Sequence, residues 1–455
     1  MTNIAIKHAL RGLIALAAAI GPTGAAWAAL PIQHWKQASG AQVWLIESPQ
    51  LPMVDVQIDF DAGSRRDPAD RIGLASAAAE MTGKGLEARG GLPALDENQL
   101  SEAWADLGAG FGGSATSDRM SFTLRSLTDP DLLAKAIQLA ARQLGEPSYP
   151  DTVWQRDRAR LIASIRESLT RPATVAGRAY AAAVYGGHPY GYDVTEQTAG
   201  RITVDDMRAF HKRHLAACRA KVSIVGAVTR AQADQLAASM LARLPQDPAG
   251  CTPLPAVAEV PELKAPLETK IPFASAQAHV LIGQPGYKRT DPDYFALQVG
   301  NYTLGGGGFV SRLTTEVREK RGLSYSVYSY FSPGLHAGAF TVGLQTRPDQ
   351  ATQAIQVARE VVARFVAEGP TDAELKAAKD FLIGGFALRI DSNRKLLDNL
   401  AFIAWHGLPL DYLDTWTAKV ERVTAADVRA AFARKLQPQR MVTVVVGAAD
   451  NTAAK

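Results

Sequence analysis

The sequence contains few of the side chains that bind transition metals. It has eight His and two Cys in 455 residues, whereas a catalytic zinc ion needs about three protein ligands and an open position. No two His stand four residues apart, the spacing that places both on one helix face. His211 and His214 stand three apart, in a Phe-His-Lys-Arg-His run typical of a polar helix surface. The residues themselves therefore predict no metal site in this chain.

The sequence also lacks an excess of one charge and a long apolar run. Its 49 basic residues are balanced by 45 acidic ones, which leaves a net charge of +4. Proteins that bind nucleic acids usually carry a concentrated basic stripe, so we expect no nucleic-acid partner. No window beyond the N-terminal region approaches the roughly 20 apolar residues that cross a bilayer. We therefore do not expect an integral membrane protein.

The first 28 residues have the layout of a secretory signal peptide. Lys7 and Arg11 supply the positive charge, residues 12–20 form a short apolar run, and residues 26–28 read Ala-Trp-Ala, a small-x-small cleavage site. We expect export to a bacterial periplasm with cleavage after residue 28. The alternative is an N-terminal membrane anchor that is not removed.

The two cysteines, Cys218 and Cys251, can pair in an oxidising compartment. Cys218 is predicted just before a strand and Cys251 in a linker, so a disulfide between them is geometrically feasible. The alternative is two separate thiols, one of them buried. Neither cysteine has the His and Asn context of a catalytic nucleophile.

The chain repeats itself once. A helix start at Thr203 leads to a β-branched strand at 222–226, and 221 residues later a helix start at Thr424 leads to a strand at 443–447. Each Thr is followed three residues later by Asp, which is typical of a capping box. The N-terminal parts of the two copies also correspond, since each has a strand, a glycine turn and an Asp-Pro pair.

A boundary separates the two copies. Seven prolines lie between residues 245 and 272, which indicates a semi-rigid linker. We expect a signal peptide at 1–28, a first domain at 29–247, a linker at 248–270 and a second domain at 271–455. Runs of helices between groups of strands favour an α+β fold over a regular βαβ wind, and each unit is large enough to bury its own core.

Apolar periodicity predicts the helices that carry the candidate functional residues. In the first unit these are 73–83, 95–107, 129–144, 152–169, 174–185 and 204–215. In the second unit they are 294–304, 311–321, 348–368, 372–392 and 412–420, and the repeat adds one after Thr424.

The most informative segment is LGGGGFVSRLTTEVREKRGLSYSV at 304–327. A glycine run that opens a helix can bind phosphate, but no Gly-Lys-Ser/Thr follows it, so a P-loop is not expected. Gly322 is a natural end for the predicted helix, and a strand follows from Tyr325. Arg318 and Tyr325 can then come close in space, where a guanidinium and a phenol could hold and polarise a peptide carbonyl. The alternative is a solvated Arg and an ordinary strand Tyr.

Taken together, these segments resemble the M16, or pitrilysin-type, zinc metallopeptidases. The resemblance covers nearly the whole chain after residue 28. It rests on the segment 304–327, on the His-Pro-Tyr-Gly at 188–191, and on the helix-to-strand endings that start with Asp206 and Asp427. It implies two homologous metallohydrolase-like α/β-sandwich domains joined by the proline-rich linker.

The active domain of that family carries an inverted zinc motif, His-x-x-Glu-His, in which the two His bind zinc and the Glu is the general base. A third ligand, a Glu, follows on another helix. The matching positions in this sequence are Ser76, Ala79, Glu80 and, for the third ligand, Ser164. The resemblance thus implies that all three ligands and the base are lost, so that this chain binds no zinc and does not hydrolyse peptides alone.

The family's second functional element is an Arg and a Tyr, seven residues apart, that reach the active site and bind the substrate backbone. Arg318 and Tyr325 match that spacing inside the matching motif. In some members the zinc motif and the Arg/Tyr pair lie on separate chains, which form a clamshell heterodimer. This sequence resembles the Arg/Tyr chain of such a split enzyme.

The glycine run also has a counterpart, a longer glycine-rich loop in the non-catalytic subunit of mitochondrial processing peptidases, where it is implicated in substrate recognition. The resemblance extends that role to Gly305, Gly306, Gly307 and Gly308.

The resemblance implies a metal-free subunit of a periplasmic heterodimeric zinc endopeptidase. A His-x-x-Glu-His partner would supply the zinc, and the substrate would be a peptide or unfolded protein. The alternative is an inactive peptide-binding or scaffold protein derived from such a peptidase. A third hypothesis, an independent enzyme built on Asp205 and Asp206 or on Asp55 and Asp59, is disfavoured because the first pair starts a helix and the second spans one strand.

Overall fold

The computed structural model describes residues 31–245 and 251–447. The predicted signal peptide at 1–28 lies outside these ranges. Within them, no helix combines the length and the apolar character needed to cross a membrane.

The first half of the chain forms a six-stranded mixed sheet. Its strands are β1 (Gln33–Lys36), β2 (Gln42–Glu47), β3 (Met53–Phe60), β6 (Gly110–Ala115), β7 (Met120–Leu127) and β8 (Lys221–Gly226), while β4 (Gly85–Leu86) and β5 (Leu95–Asp96) form a small separate ribbon. The order across the sheet is β1-β2-β8-β3-β7-β6. On β7, buried Met120, Phe122 and Leu124 alternate with more exposed residues, because successive side chains of a strand point to opposite faces.

The second half forms a five-stranded sheet with corresponding pairings. Its strands are β9 (Leu267–Ile271), β10 (Ala278–Tyr287), β11 (Ser326–Phe331), β12 (Gly338–Thr346) and β13 (Val442–Val446), in the order β11-β12-β10-β13-β9. The parallel pair β9 and β13 matches the parallel pair β2 and β8. Strand β9 falls almost entirely within 248–270, so the end of the proline-rich segment is an edge strand of this sheet.

Helices cover the sheets. Those of the first half are α1 (Leu74–Met81), α2 (Glu97–Asp106), α3 (Pro130–Gly145), α4 (Asp151–Ser168), α5 (Pro172–Tyr185), α6 (Glu196–Arg201), α7 (Val204–His214) and α8 (Arg230–Leu241). Those of the second half are α9 (Tyr294–Asn301), α10 (Ala351–Glu368), α11 (Asp372–Gly384), α12 (Asn393–His406), α13 (Tyr412–Arg422) and α14 (Ala425–Lys435). The predicted α+β architecture, two mixed sheets with helices, is confirmed.

One predicted helix is wrong. The stretch 372–392 is not continuous, because α11 ends at Gly384 and a new helix, α12, starts after Ser392. The Ser392 hydroxyl accepts a hydrogen bond from the backbone N–H of Lys395, which satisfies one of the free donors at the start of α12.

Each half contributes one helix to the sheet of the other half. Helix α12 packs on β2, β3 and β8 of the first sheet, and α5 packs on β10 and β13 of the second. On α5, the Tyr180 hydroxyl donates to the Phe340 carbonyl at 2.8 Å. At the end of α12, Lys221 Nζ donates to the carbonyls of Ala404 and Trp405 at 2.9 and 3.0 Å. The two halves therefore interlock.

The two cysteines form a disulfide. Cys218 lies in a short turn just before β8, and its Cα is 5.9 Å from the Cα of Cys251. The bond ties the proline-rich segment to the first sheet. This settles the open choice between a pair and two separate thiols.

Candidate functional site

The positions that match the family's zinc ligands lie along one cleft of the first half. Ser76 and Glu80 are exposed on α1, four residues apart and therefore on one helix face. Ser164 on α4 lines the same cleft, which has a volume of about 580 Å³. The structure thus brings together the three ligand positions that the resemblance identifies.

The general-base position is closed. Ala79 is fully buried in the core of the first half. Its carbonyl oxygen lies so close to Gly113 of β6 that a Cβ added there would be 2.8 Å away. Helix α1 and the edge strand β6 therefore pack tightly at the point where the family places the catalytic Glu.

The donor set of the cleft does not fit zinc. Structural and catalytic zinc sites use Cys, His and carboxylate ligands, whereas the three ligand positions here carry two hydroxyls and the single carboxylate of Glu80. Across residues 31–245 and 251–447, no group of three or more His, Cys, Asp or Glu side chains is arranged to hold a metal ion. The residues at these positions therefore do not fit a zinc ion.

Asp157, a cleft residue that the sequence analysis did not single out, lies on the same face of α4. It stands seven residues, or two turns, before Ser164, and this spacing could have revealed it. Arg156 Nε is 2.8 Å from its carboxylate and Lys84 Nζ is 3.7 Å away. The hydrogen bond from Arg156 lowers the pKa of Asp157. Cations of this chain thus neutralise Asp157.

Arg318 and Tyr325 are adjacent, as the sequence predicts. The helix expected at 311–321 is widened, since Thr314–Glu319 forms a π-helix in which the Lys320 N–H bonds to the Thr315 carbonyl. Gly322, at φ +61°, reverses the chain, and its N–H donates to the Arg318 carbonyl. The guanidinium carbon of Arg318 is consequently 4.5 Å from the ring centre of Tyr325. Short π-helical segments are frequent at functional sites.

Tyr325 is open to solvent, whereas Arg318 is half-buried. Tyr325 is 79% exposed, and Phe309, which also contacts Arg318, is 65% exposed. The Phe309 ring centre is 4.6 Å from the guanidinium carbon, so Arg318 contacts two aromatic rings. Among the described residues no carboxylate lies within ion-pair distance of Arg318. Its charge is thus free to meet a ligand. The sequence contains one signal that points to Phe309, since it is an aromatic residue directly after a glycine run.

The glycine run packs closely against its surroundings. Gly305 is buried, and a Cβ there would lie 2.4 Å from the Ser329 hydroxyl. A Cβ at Gly307 would lie 2.7 Å from the Tyr302 carbonyl, whereas Gly308 has open space but a φ of +59°. Close contacts therefore explain why glycine is needed at 305 and 307, and the positive φ explains why it is favoured at 308.

His214 corrects one expectation. The predicted polar surface at 211–214 is wrong for this residue, which is 5% exposed. It stands four residues after Phe210 and therefore shares the buried face of α7. His211 is partly buried. Each imidazole bonds to a backbone carbonyl, His211 to that of Leu144 and His214 to that of Phe210, and not to a shared ligand.

His214 should make stability fall in mild acid. Burial lowers its pKa to about 4, against about 6.5 in an unfolded chain. Between these values the unfolded state binds the proton and the native state does not, so stability is lost as pH falls. We expect this residue to contribute up to about 3 kcal/mol to that loss. Urea unfolding of wild type and His214→Gln at pH 7 and pH 4 measures it. The difference in free energy of unfolding between wild type and His214→Gln should fall by this amount from pH 7 to pH 4. His34→Gln, at an exposed position, is the control. A difference that does not change with pH would contradict the role given to His214.

The His-Pro-Tyr-Gly segment lies where the two halves meet. The Tyr190 hydroxyl donates to Asp118 at 2.6 Å and accepts from the backbone N–H of His336 at 3.0 Å. His188 Nδ1 accepts from the Tyr190 N–H, and its Nε2 lies 2.9 Å from the Ala258 carbonyl. His188 and Tyr190 thus join the linker, the first half and the second half.

Tyr190→Phe should destabilise the chain by about 1–3 kcal/mol, because it leaves the buried His336 N–H without a partner and removes a donor from Asp118. Urea unfolding followed by circular dichroism measures the change. Tyr192→Phe is the matched control, since within the described residues the Tyr192 hydroxyl has no hydrogen-bond partner. Equal losses in the two variants would contradict the role given to Tyr190.

The fold and the site define the class of protein. It is a pair of M16-type α+β units in which the positions of the zinc ligands are occupied by residues that do not bind zinc together. The family described as Peptidase M16 inactive domain matches residues 201–382. The crystal structure of a peptidase M16 inactive domain from Pseudomonas fluorescens superposes with a TM-score of 0.84 at 33% identity, covering 91% of this chain and 98% of that one. The chain belongs to the peptidase M16 family.

Other relatives differ in what they are said to do. An uncharacterized zinc protease of Streptomyces coelicolor is 31% identical over 297 residues, which is 64% of each chain. This chain therefore spans just under two thirds of that relative. A non-peptidase homolog of Helicobacter pylori is 24% identical over 84% of this chain and 86% of its own length. The periplasmic protease PqqL of Escherichia coli shares the fold, with a TM-score of 0.77 at 17% identity, over 91% of this chain and 45% of that one.

Proposed function

We propose that the protein is the metal-free subunit of an exported heterodimeric M16 zinc endopeptidase. In this proposal the repeat units at 29–247 and 271–455 are the two domains of one half of a clamshell. The partner subunit carries His-x-x-Glu-His and supplies the zinc and the base. The observation that carries the proposal is the half-buried Arg318, which no carboxylate of the described residues neutralises and which lies against the exposed Tyr325. It occurs in a chain whose own zinc-ligand positions lack the ligands that zinc needs.

Arg318 and Tyr325 bind the substrate backbone in this proposal. A guanidinium presents several N–H donors in a rigid plane, and the phenol adds an O–H donor. Such donors bind a peptide carbonyl oxygen and hold more strongly the negative charge that develops on it as water attacks. Gly306 and Gly308 are exposed and lie in the loop that leads to Phe309, so in this proposal they form part of the surface that recognises the substrate.

The comparisons support parts of this proposal. The matched family is described as inactive, and several relatives are described as zinc proteases. The match to PqqL covers 45% of that chain, which leaves length for a second unit of similar size. The disulfide suits an oxidising compartment, PqqL is described as periplasmic, and both agree with export by the segment 1–28.

Mixing tests the proposal. This chain and a His-x-x-Glu-His M16 protein from the same organism are purified separately, and each is assayed alone and together on a quenched fluorescent peptide. We expect hydrolysis only in the mixture, a 1:1 complex by light scattering, and zinc only in the partner by mass spectrometry. Stoichiometric zinc in this chain, or full activity of the partner alone, would rule the proposal out.

A second candidate function is a peptide-binding or scaffold protein with no part in hydrolysis. The H. pylori relative described as a non-peptidase homolog favours it. The same assay separates the two functions, because a scaffold binds labelled peptide, as measured by fluorescence anisotropy, but leaves the rate of the partner unchanged.

A further inference from the structure

We propose that Phe309 is a positioning residue for Arg318. Together with Tyr325 it holds the guanidinium against two aromatic rings and so fixes the direction in which the N–H donors point. This inference rests on the proposed function, because it assigns to Phe309 the task of orienting the group that binds the substrate carbonyl.

The geometry of the stack carries the inference. The guanidinium carbon of Arg318 lies 4.6 Å from the Phe309 ring centre and 4.5 Å from that of Tyr325. Both distances are within the range over which the face of a ring attracts a cation. Phe309 is 65% exposed and belongs to none of the apolar core clusters formed by residues 31–245 and 251–447. Packing of the core therefore does not account for an aromatic residue at this place.

The loop that carries Phe309 is tied to the helix that carries Arg318. Phe309 is the middle residue of a short turn, Gly308–Val310. The buried Ser311 closes that turn, since its hydroxyl donates to the Gly308 carbonyl at 2.7 Å and lies 3.1 Å from the Thr314 hydroxyl at the start of the π-helix. Phe309 and Arg318 thus belong to one connected unit, and the ring can hold the guanidinium in one place.

Phe309 and Tyr325 together form what we call the aromatic clamp of Arg318. Such a clamp can hold a guanidinium in place while its N–H donors bind a carbonyl. A carboxylate could also hold Arg318, but it would occupy the N–H donors and neutralise the charge. An aromatic ring attracts the cation without presenting a charged acceptor to its N–H groups, so these donors stay free for a carbonyl. The neighbouring Arg321 shows the other arrangement, since it is paired with Glu316 at 2.6 Å.

Substitution of Phe309 in the assembled peptidase tests the clamp. Phe309→Ala and Phe309→Leu should each lower kcat/KM by about 3- to 30-fold, the range of a cation–π contact, chiefly through kcat. Phe309→Tyr should stay within about twofold, because it keeps the ring. Val310→Ala, at an equally exposed apolar neighbour, is the control. The double variant Phe309→Ala with Arg318→Ala should be no slower than Arg318→Ala alone, because the ring acts only through that arginine.

A second readout needs neither partner nor substrate. In arginine-labelled protein, the Nε–Hε resonance of Arg318, assigned through Arg318→Lys, should be shifted upfield by the two rings. It should move toward the position of a free arginine in Phe309→Leu but not in Val310→Ala. If the resonance responds but Arg318→Ala hydrolyses normally, the clamp stands and the proposed function fails. If Phe309→Leu keeps both the resonance and the activity, or if the double variant shows additive losses, the clamp is wrong.

Discussion

Arg318→Ala and Tyr325→Phe should each lower kcat/KM of the assembled peptidase by about 100-fold or more, the usual loss when one oxyanion donor is removed. The loss should fall mainly on kcat, because the donors bind the charge that develops in the transition state more strongly than the neutral carbonyl. Tyr325 is exposed and Arg318 is half-buried, and neither belongs to the apolar core, so the substitutions leave core packing in place. The measurement is steady-state hydrolysis with each variant saturating the partner.

The chain offers matched controls for this experiment. Arg321→Ala removes an exposed guanidinium that is paired with Glu316, and Tyr328→Phe removes a hydroxyl from a tyrosine that is 43% exposed on β11. Both should stay within about twofold of wild type. Arg318→Lys should behave like Arg318→Ala, since an ammonium lacks the planar set of donors. Arg318 and Tyr325 variants that also stay within twofold would refute the assigned role.

Features set by neighbouring residues follow the sequence closely. The capping boxes at Thr203 and Thr424 form as predicted, with the N–H groups of Asp206 and Asp427 donating to the threonine hydroxyls. Gly322 adopts the positive φ expected at a helix end. These features depend on contacts within one turn of chain, so the sequence window contains all the information that they need.

Features that depend on residues far apart in the chain cannot be predicted from a short stretch of sequence. The burial of His214 requires α7 to lie on the core of the first half, and the packing of α12 on the first sheet joins residues that are more than 150 positions apart. The shared cleft of Ser76 and Ser164 was expected only through the family resemblance, because nothing in two serines on separate helices indicates a common site. The Phe309–Arg318 stack likewise depends on the widened π-helix, which periodicity does not reveal.

The charged cluster under the end of α12 gives the largest expected effect on stability. Asp59 on β3 is fully buried, and it accepts hydrogen bonds from Arg119 at 2.9 Å and from Ser121 at 2.5 Å. Burial raises the pKa of Asp59, and the charge of Arg119 opposes that shift. Arg119 also approaches the Ala401 carbonyl and the Trp405 ring of α12. The pair thus joins the first sheet to the helix that the second half contributes.

Arg119→Met should lower the free energy of unfolding by about 3–5 kcal/mol, because it leaves a buried carboxylate without its partner. The loss should be smaller in acid, since protonation of Asp59 removes the unpaired charge and a raised folded-state pKa favours the native state at low pH. The double variant Asp59→Asn with Arg119→Met should recover part of the loss, because the buried side chain at 59 then carries no charge. Lys376→Met, which breaks the exposed pair with Asp380, should change stability little. Urea unfolding at pH 5 and pH 7.5 measures all four proteins, and a double variant no more stable than Arg119→Met would show that the charge of Asp59 is not what Arg119 offsets.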